Sequence, residues 1–297
     1  MFSFMRQKIR KNPQSRTNSG QRPINTTSSA ANEFSRGLVN NQKQLLVGSA
    51  QSVGMLRDHN EDALFTFATV LSMNQFEERF GLFALADGMG GHMNGEIASD
   101  VSVRVVVKHL LQHLFEPLIS KKNEPMSKGV HEILTEAFQE AQKAVLEAAP
   151  GGGTTLLVAI LMNDMVTISH VGDSRAYFYH ADGHLERITS DHSLVQRLID
   201  LKEITEQEAE NHPQKNVLLK AVGQTDPYEP DIQTIHVPDR AKLMLCSDGL
   251  WGVVPEKIMQ QVLAEDGTPF ETCQKLVSAA NQFGGPDNIS VILAESA

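Results

Sequence analysis

Residues 81–88 read Gly-Leu-Phe-Ala-Leu-Ala-Asp-Gly, a short apolar run that ends in an aspartate followed by a glycine. Residues 242–249, Lys-Leu-Met-Leu-Cys-Ser-Asp-Gly, end in the same way. Short apolar runs bounded by turn residues predict buried β-strands. Because an ionised carboxylate is costly to bury without a cation or hydrogen-bond donors, Asp87 and Asp248 are candidates for a functional site at the ends of two strands.

Other acidic residues also stand next to apolar runs. Glu61 and Asp62 come directly before the run 63–68, and Asp287 stands two residues before the run 289–293. The two remaining Asp-Gly pairs of the chain lie in polar surroundings, where ordinary turns explain them. Carboxylates at strand ends, without paired Cys or His residues, are typical of sites for a hard divalent ion such as Mg²⁺ or Mn²⁺ rather than zinc.

Further short apolar runs predict a protein rich in β-strands. The predicted strands cover residues 82–86, 155–161, 166–171, 232–237, 242–247 and 289–293. Two-residue connections at Asn163-Asp164 and Asp239-Arg240 predict β-hairpins, and therefore largely antiparallel sheets.

Two amphipathic helices are predicted between the strands. Ile97, Val101 and Val105 recur on one face after a predicted cap at Asn94. A second apolar face is formed by Val130, Ile133, Leu134, Ala137, Ala141 and Val145. Strands, a helix pair and more strands indicate an α+β fold in which helices cover sheets. Residues 190–230 are polar and predict an inserted flap with one helix at about 193–210.

The net charge of −10 over 297 residues is unevenly distributed. Residues 1–43 carry about +7, whereas the remainder carries about −17. Residues 11–43 are polar and without hydrophobic period, so we expect a disordered basic tail at 1–43 and one domain at 44–297. An acidic domain argues against nucleic acid as a partner.

The chain has two cysteines, Cys246 and Cys273, which is too few for a disulfide framework and typical of a reducing compartment. No apolar stretch reaches the length of a membrane span, and no apolar segment typical of a secretory signal follows the basic N-terminal residues. These features predict a cytoplasmic protein without a transmembrane segment.

Seven segments together resemble the type 2C (PPM) family of metal-dependent serine/threonine protein phosphatases, in its bacterial form. They occur in the order found in that family and span residues 45–297. The segments are Arg57-Asp-His-Asn-Glu-Asp-Ala63, Ala86-Asp-Gly-Met-Gly-Gly-His92, Gly153-Thr-Thr155, Val171-Gly-Asp-Ser-Arg175, Ser190-Asp-His-Ser-Leu194, Ser247-Asp-Gly-Leu-Trp251 and Gly284-Gly-Pro-Asp-Asn288.

The resemblance implies a four-layer fold, in which a central antiparallel β-sandwich is flanked by helix pairs and two Mg²⁺ or Mn²⁺ ions lie at one end. It further implies that Asp87 bridges both ions and that Asp248 and Asp287 bind one of them. The carbonyl oxygen of Gly88 is implied as a ligand of the other ion.

The remaining roles are implied in the same way. Glu61 and Asp62 resemble residues that hold the second ion, directly or through water. Arg57 resembles the arginine that binds the substrate phosphate, for which its planar guanidinium is well suited. Asp173, together with Asp248, resembles the ligands of a third, weaker metal.

The sequence departs from some members of the family at two positions. Met89 stands where some members have a histidine that resembles a general acid, and nearby His92 is one candidate for that role. A metal-bound water is the alternative. Gly252 stands where some relatives have a further ligand of the third metal, which puts that site in doubt.

As partners, the resemblance implies phosphorylated protein substrates and a cognate serine/threonine kinase. We expect the enzyme itself to be a monomer. Three other readings remain open on the sequence. In the first, the substrate is a small molecule or a dedicated phosphorylated signalling domain. In the second, the protein is an inactive binding module. In the third, it is a scaffold that acts through its basic tail.

Overall fold

The computed structural model describes residues 44–73, 76–90, 93–120, 128–224 and 229–296. The predicted basic tail at 1–43 and the candidate general acid His92 lie outside the described residues. Residues Lys43–Ala297 form one compact unit.

Eleven strands in the described residues form two antiparallel sheets. The strands are β1 (Leu45–Ser52), β2 (Asp62–Met73), β3 (Phe76–Met89), β4 (Gly153–Thr154), β5 (Leu156–Met162), β6 (Met165–Val171), β7 (Arg175–Tyr179), β8 (Leu185–Arg187), β9 (Asp231–His236), β10 (Lys242–Cys246) and β11 (Ile289–Ser296). The first sheet has the order β1-β11-β10-β7-β8, and the second has the order β2-β3-β5-β6-β9, with β4 paired to β3.

Helices cover the outer face of each sheet. A π-helical turn at Leu111–Phe115 joins the helix Met93–Leu110 to the helix Glu116–Ile119. The helices of the described residues are α1 (Met93–Leu110), α2 (Glu116–Ile119), α3 (Val130–Ala148), α4 (Leu194–Asp200), α5 (Glu206–Glu210), α6 (Asp248–Trp251), α7 (Glu256–Ala264) and α8 (Pro269–Gln282).

Strand β3 shows why the sheets are buried on both faces. Leu82 and Ala84 pack with α1 and α3 on one side, whereas Phe83 and Leu85 pack between the two sheets. Side chains alternate across a strand, so a strand covered on both faces carries an unbroken apolar run. A third cluster joins the first sheet to α7 and α8. The predicted α+β sandwich with flanking helix pairs is therefore confirmed.

One predicted hairpin is confirmed and the other is wrong. Strands β5 and β6 pair around Asn163, which has the positive φ of 57° that a tight turn requires. Strands β9 and β10, by contrast, belong to different sheets. Pro238 and Arg240 turn the chain across the edge of the sandwich, and the Ala241 amide donates to the Pro238 carbonyl.

Helix boundaries also differ from the predictions. The helix with the Ile97 face begins at Met93, so Asn94 lies in its first turn instead of capping it. The single helix predicted at 193–210 is two short helices, α4 and α5. Lys202 adopts a positive φ of 61° between them, which a continuous α-helix cannot accommodate.

The segment predicted as a flap is anchored to the sheets at both of its roots. The amide of Leu219 donates to the His192 carbonyl (2.7 Å), and the amides and carbonyls of Val222 and Thr154 pair with each other. Val222 belongs to the core beneath α1 and α3. The flap limits at about 190 and 230 stay a prediction.

Within the described part of the chain, no helix combines the length and apolar character that crossing a bilayer requires.

Helix α8 lies so close to β1 that Gly48 has no room for a side chain. A Cβ at this position would overlap the backbone of Pro269 and Phe270. We expect Gly48→Ala to lower the free energy of unfolding by about 1–3 kcal/mol, because the first turn of α8 must move. Urea unfolding measures this change. In the matched control, Gly129→Ala, the added Cβ meets nothing within 4 Å, and equal losses in both variants would contradict the interpretation.

Candidate functional site

The predicted aspartates meet at one end of the sandwich. Asp62 begins β2 and lies directly opposite Asp87 in the β2–β3 ladder. Asp248 follows β10 and Asp287 precedes β11, the strand that pairs with β10. Asp173 lies in the connection from β6 to β7. Since these strands alternate in direction, the end of one lies beside the start of the next, and residues distant in sequence come together.

Asp62 is held by two serine hydroxyls. Its Oδ2 accepts hydrogen bonds from Ser247 Oγ (3.0 Å) and Ser290 Oγ (2.6 Å). Its Oδ1 is buried and has no hydrogen-bond partner. Burial, followed by the negative charges of Asp248 and Asp287, raises the pKa of Asp62 to about 7, although the two hydroxyls oppose this shift. The two serines thus fix Oδ2 of Asp62, whereas Oδ1 is left available to bind a cation.

Asp87 and Asp248 lie in the same environment. Burial, followed by the charge of Asp62, raises the pKa of Asp87 well above its usual value. Burial and then the charge of Asp287 raise the pKa of Asp248 to about 6. Asp248 Oδ1 is also buried without a hydrogen-bond partner. Like charges crowded into a poorly solvated site disfavour ionisation, and a bound cation removes that penalty.

The backbone of Asp87 is fixed from a neighbouring strand. Its amide donates to Thr155 Oγ1 (2.9 Å), and its carbonyl accepts from the Thr155 amide and from Thr154 Oγ1. Thr155 Oγ1 in turn lies 2.7 Å from Ser174 Oγ. The position of Asp87 therefore depends on the end of β4, on the link from β4 to β5 and on the loop that carries Asp173.

Asp173 is buried beside Asp248, and burial raises its pKa well above the usual value. The indole of Trp251 donates to the Asp173 carbonyl (3.0 Å) and packs against the guanidinium of Arg175, whose Cζ lies 3.3 Å from the ring centroid. Arg175 also binds both carboxylate oxygens of Asp191. This contact network holds the Asp173 loop against α6 and the first root of the flap.

Arg57 and Asp287 form the exposed rim of the site. Arg57 Nη2 donates to Asp287 Oδ2 at 2.7 Å, and the two side chains retain 49% and 33% exposure. The hydrogen bond to Asp287, aided by the charges of Asp287, Glu61 and Asp87, raises the pKa of Arg57. The guanidinium is therefore a permanent cation at the edge of an acidic cluster.

Glu61 differs from its neighbour Asp62 in its contacts. Glu61 Oε1 lies 3.0 Å from His59 Nε2, while its backbone carbonyl accepts from the Gly88 amide (3.1 Å) and from Ser99 Oγ (2.5 Å). A Cβ on Gly88 would overlap the carbonyl of Gly95 in α1. Gly88 is thus required for the close approach of β3 to the first turn of α1.

Three residues that organise the site were not predicted to have a role. Asn288 Nδ2 donates to the carbonyls of Val53 and His59, and its Oδ1 accepts from the Glu61 amide. The other two are the serines that bind Asp62. Asn288 and Ser247 lie inside the quoted motifs, which is the signal that marks them. Ser290 follows a strand pattern and carries no such signal.

The arrangement fits a divalent metal site. Several carboxylates converge, and two of their buried oxygens have no hydrogen-bond partner. Oxygen donors of this kind match the preference of Mg²⁺ and Mn²⁺. The oxygens that are able to hold ions belong to Asp62, Asp87, Asp248, Asp287 and Asp173, with Glu61 and the Gly88 carbonyl beside them.

A second group with metal-ligand atoms lies at the base of the flap. The ligand atoms of His170, His192 and Asp231 lie within 4.8 Å of one another. The two imidazole rings are stacked with an interplanar angle of 8°. Because an imidazole lone pair lies in the plane of its ring, two parallel stacked rings do not direct their lone pairs to one ion. This group instead joins β6, the flap and β9.

The raised pKa values predict how the stability of the metal-free protein depends on pH. Asp62 and Asp248 bind protons more tightly in the folded state than in the unfolded state, where their pKa is near 4. In EDTA, the free energy of unfolding should therefore fall as pH rises from about 4 to about 7. Urea unfolding at stepped pH measures this, and Asp248→Asn should flatten the slope. A slope unchanged by that variant would contradict the prediction.

Comparison with known proteins identifies the family of this chain. Residues 58–281 match the family model of protein phosphatase 2C. The serine/threonine phosphatase stp of Listeria innocua is 35% identical over 242 residues, which cover 82% of this chain and 92% of that protein.

Solved structures give the same assignment. The S. agalactiae serine/threonine phosphatase aligns with a TM-score of 0.73 and 29% identity, covering 85% of this chain and 100% of that one. The catalytic domain of the phosphatase PstP, in complex with two manganese ions, aligns with a TM-score of 0.68 and 28% identity over 85% of this chain and 98% of that one. The chain belongs to the protein phosphatase 2C family, among its bacterial serine/threonine phosphatases.

Proposed function

We propose that the protein hydrolyses phosphoserine and phosphothreonine in proteins, at the acidic end of the sandwich. The observation that carries the proposal is the convergence of Asp62, Asp87 and Asp248, whose pKa values are all raised by burial and by the charges of neighbouring aspartates. Bound cations favour the ionised form of such a cluster, and perturbed carboxylates in one place are typical of active sites.

We assign the ion-binding roles as follows. Asp87 binds both of two Mg²⁺ or Mn²⁺ ions, Asp248 and Asp287 bind one of them, and the Gly88 carbonyl binds the other. Glu61 and Asp62 serve that second ion, and the free Oδ1 of Asp62 supports a direct contact. Asp173, with Asp248, forms a weaker third site.

Bound divalent ions supply a Lewis acid and lower the pKa of water, so that a hydroxide is available near neutral pH. The protein contributes orientation. Ser247 and Ser290 fix the Asp62 carboxylate, and Thr155 fixes Asp87. Arg57, at the exposed rim, binds the phosphate oxygens and stabilises the charge that develops on them.

A cysteine nucleophile is excluded by burial. Burial raises the pKa of both Cys246 and Cys273 to about 12, so neither forms a thiolate near neutral pH. Direct attack by water is consistent with this. At Met89, β3 offers no proton donor, and we assign protonation of the leaving alkoxide to water instead.

The substrate class is the part of the proposal that rests on family membership. The named relatives are serine/threonine phosphatases, which favours a phosphoprotein substrate and an opposing kinase. A small-molecule or signalling-domain substrate, or an inactive binding module, remains as an outcome of the tests below. We expect the protein to be a monomer and to be located in the cytoplasm.

Replacing the central aspartates should abolish activity. We expect Asp87→Asn and Asp248→Asn to lower the kcat for p-nitrophenyl phosphate with Mn²⁺ by at least about 100-fold, because the ions lose their ligands. The metal-free variants should be at least as stable as the wild type, since a repelling charge is removed. Asp266→Asn is the matched control, because Asp266 also precedes a glycine but is exposed in a turn. Activity retained in either site variant would refute the assignment.

The predicted tail should be dispensable for catalysis. All proposed catalytic and metal-binding residues lie between Arg57 and Asp287, so deletion of residues 1–43 should leave phosphopeptide turnover within about two-fold of the full chain. Steady-state kinetics on a phosphothreonine peptide measure this. A large loss of turnover would contradict this prediction.

A further inference from the structure

A groove runs along the outside of the first sheet, between strand β1 and helix α8. Its volume is about 760 Å³. Phe270, in the first turn of α8, lines one end, and Gln282, the last residue of the helix, lines the other. Fourteen helical residues span roughly 21 Å, which is long enough for about six residues of an extended peptide.

The chemistry of the groove differs from that of the acidic site. Among the described residues that line it, none carries an ionisable group. Met55, Phe270 and Val277 supply apolar surface, whereas Gln274 supplies an amide that can bind a peptide backbone. Such a lining favours an uncharged, partly apolar segment of polypeptide.

Through Met55, the groove adjoins the loops that carry Arg57 and Asp287. Met55 lines the groove, and its amide donates to the Gly285 carbonyl at 2.7 Å, two residues before Asp287. Arg57 follows Met55 by two residues and binds Asp287. A phosphate held by Arg57 therefore places the adjoining residues of a substrate close to Met55.

Two exposed apolar side chains mark this junction. Leu56 is 75% exposed and Met55 is 65% exposed, the two highest values among the large apolar side chains of the described residues. Neighbouring apolar side chains exposed at the rim of a functional site are typical of a binding surface.

We propose that Met55, Leu56 and the groove between β1 and α8 bind the part of a phosphoprotein that flanks the phosphorylated residue. The surface selects apolar, uncharged residues at the flanking positions and disfavours acidic ones. This inference rests on the proposed phosphatase function and adds the substrate preference of the same site.

Matched phosphopeptides test the preference. Two phosphothreonine peptides carry either leucine or aspartate at the positions on both sides of the phosphothreonine. The wild type should show a higher kcat/KM on the leucine peptide. In the double variant Met55→Ser/Leu56→Ser, this kcat/KM should fall about ten-fold, because two apolar contacts are lost. Turnover of p-nitrophenyl phosphate, which has no flanking residues, should stay within about two-fold.

Two further variants complete the design. Gln274→Lys places a cation in the groove and should raise kcat/KM for the aspartate peptide. Leu146→Ser is the matched control, because Leu146 is 45% exposed on α3, outside the groove, and its loss should leave both peptides unaffected. Wild-type kinetics in the double variant, or an equal fall with p-nitrophenyl phosphate, would overturn the proposal.

The test separates this inference from the function on which it rests. A wild-type protein that hydrolyses neither peptide nor p-nitrophenyl phosphate contradicts the phosphatase proposal. Peptide binding at the groove is then tested by fluorescence anisotropy of the labelled leucine peptide. Affinity must still fall about ten-fold in the double variant, and an unchanged affinity would refute peptide binding at this surface.

Discussion

The burial of several carboxylates at one end of the sandwich is the constraint on which the rest of the structure depends. Without compensation, such burial costs several kcal/mol for each charge. The protein offsets part of this cost locally, through the two serine hydroxyls on Asp62 and the guanidinium of Arg57 beside Asp287. The raised pKa values of Asp62, Asp87 and Asp248 show that the compensation is incomplete. In our proposal, bound divalent cations offset the remaining cost.

The sandwich can offset this cost because its central strands are buried on both faces. Helices α1 and α3 cover one sheet, α7 and α8 cover the other, and the two sheets cover each other. The free energy gained by burying the hydrophobic core can therefore offset the cost of the buried carboxylates at one end of the sandwich. Asn288 adds a local constraint, since one side chain joins the loops at Val53 and at His59–Glu61 to the start of β11.

Much of this architecture is predictable from the sequence, for identifiable reasons. Apolar runs ending in Asp87 and Asp248 predicted both the strands and the candidate site, because a charge next to a buried segment is unusual. The wrong hairpin at Asp239-Arg240 arose because a two-residue connection is compatible with pairing and also with a crossing between sheets. The break at Lys202 left no signal in the periodicity of the flap. The hydroxyl of Ser290 was missed because its role depends on Asp62, which lies 228 residues away.

The electrostatics of the site also constrain how a substrate is recognised. A phosphorylated segment is negatively charged, and the cluster it approaches is acidic, so the carboxylates themselves oppose binding. In the proposed function, bound cations and Arg57 attract the phosphate, but this attraction is the same for every phosphate monoester. Discrimination between phosphoproteins therefore requires contacts with the residues that flank the phosphate, and a surface beside Arg57 is placed to make such contacts. The groove that begins at Met55 meets this requirement, because it adjoins the rim of the site and the described residues that line it carry no charge. In our proposal, phosphate chemistry and substrate preference consequently belong to two adjacent surfaces, of which the first is charged and the second is uncharged.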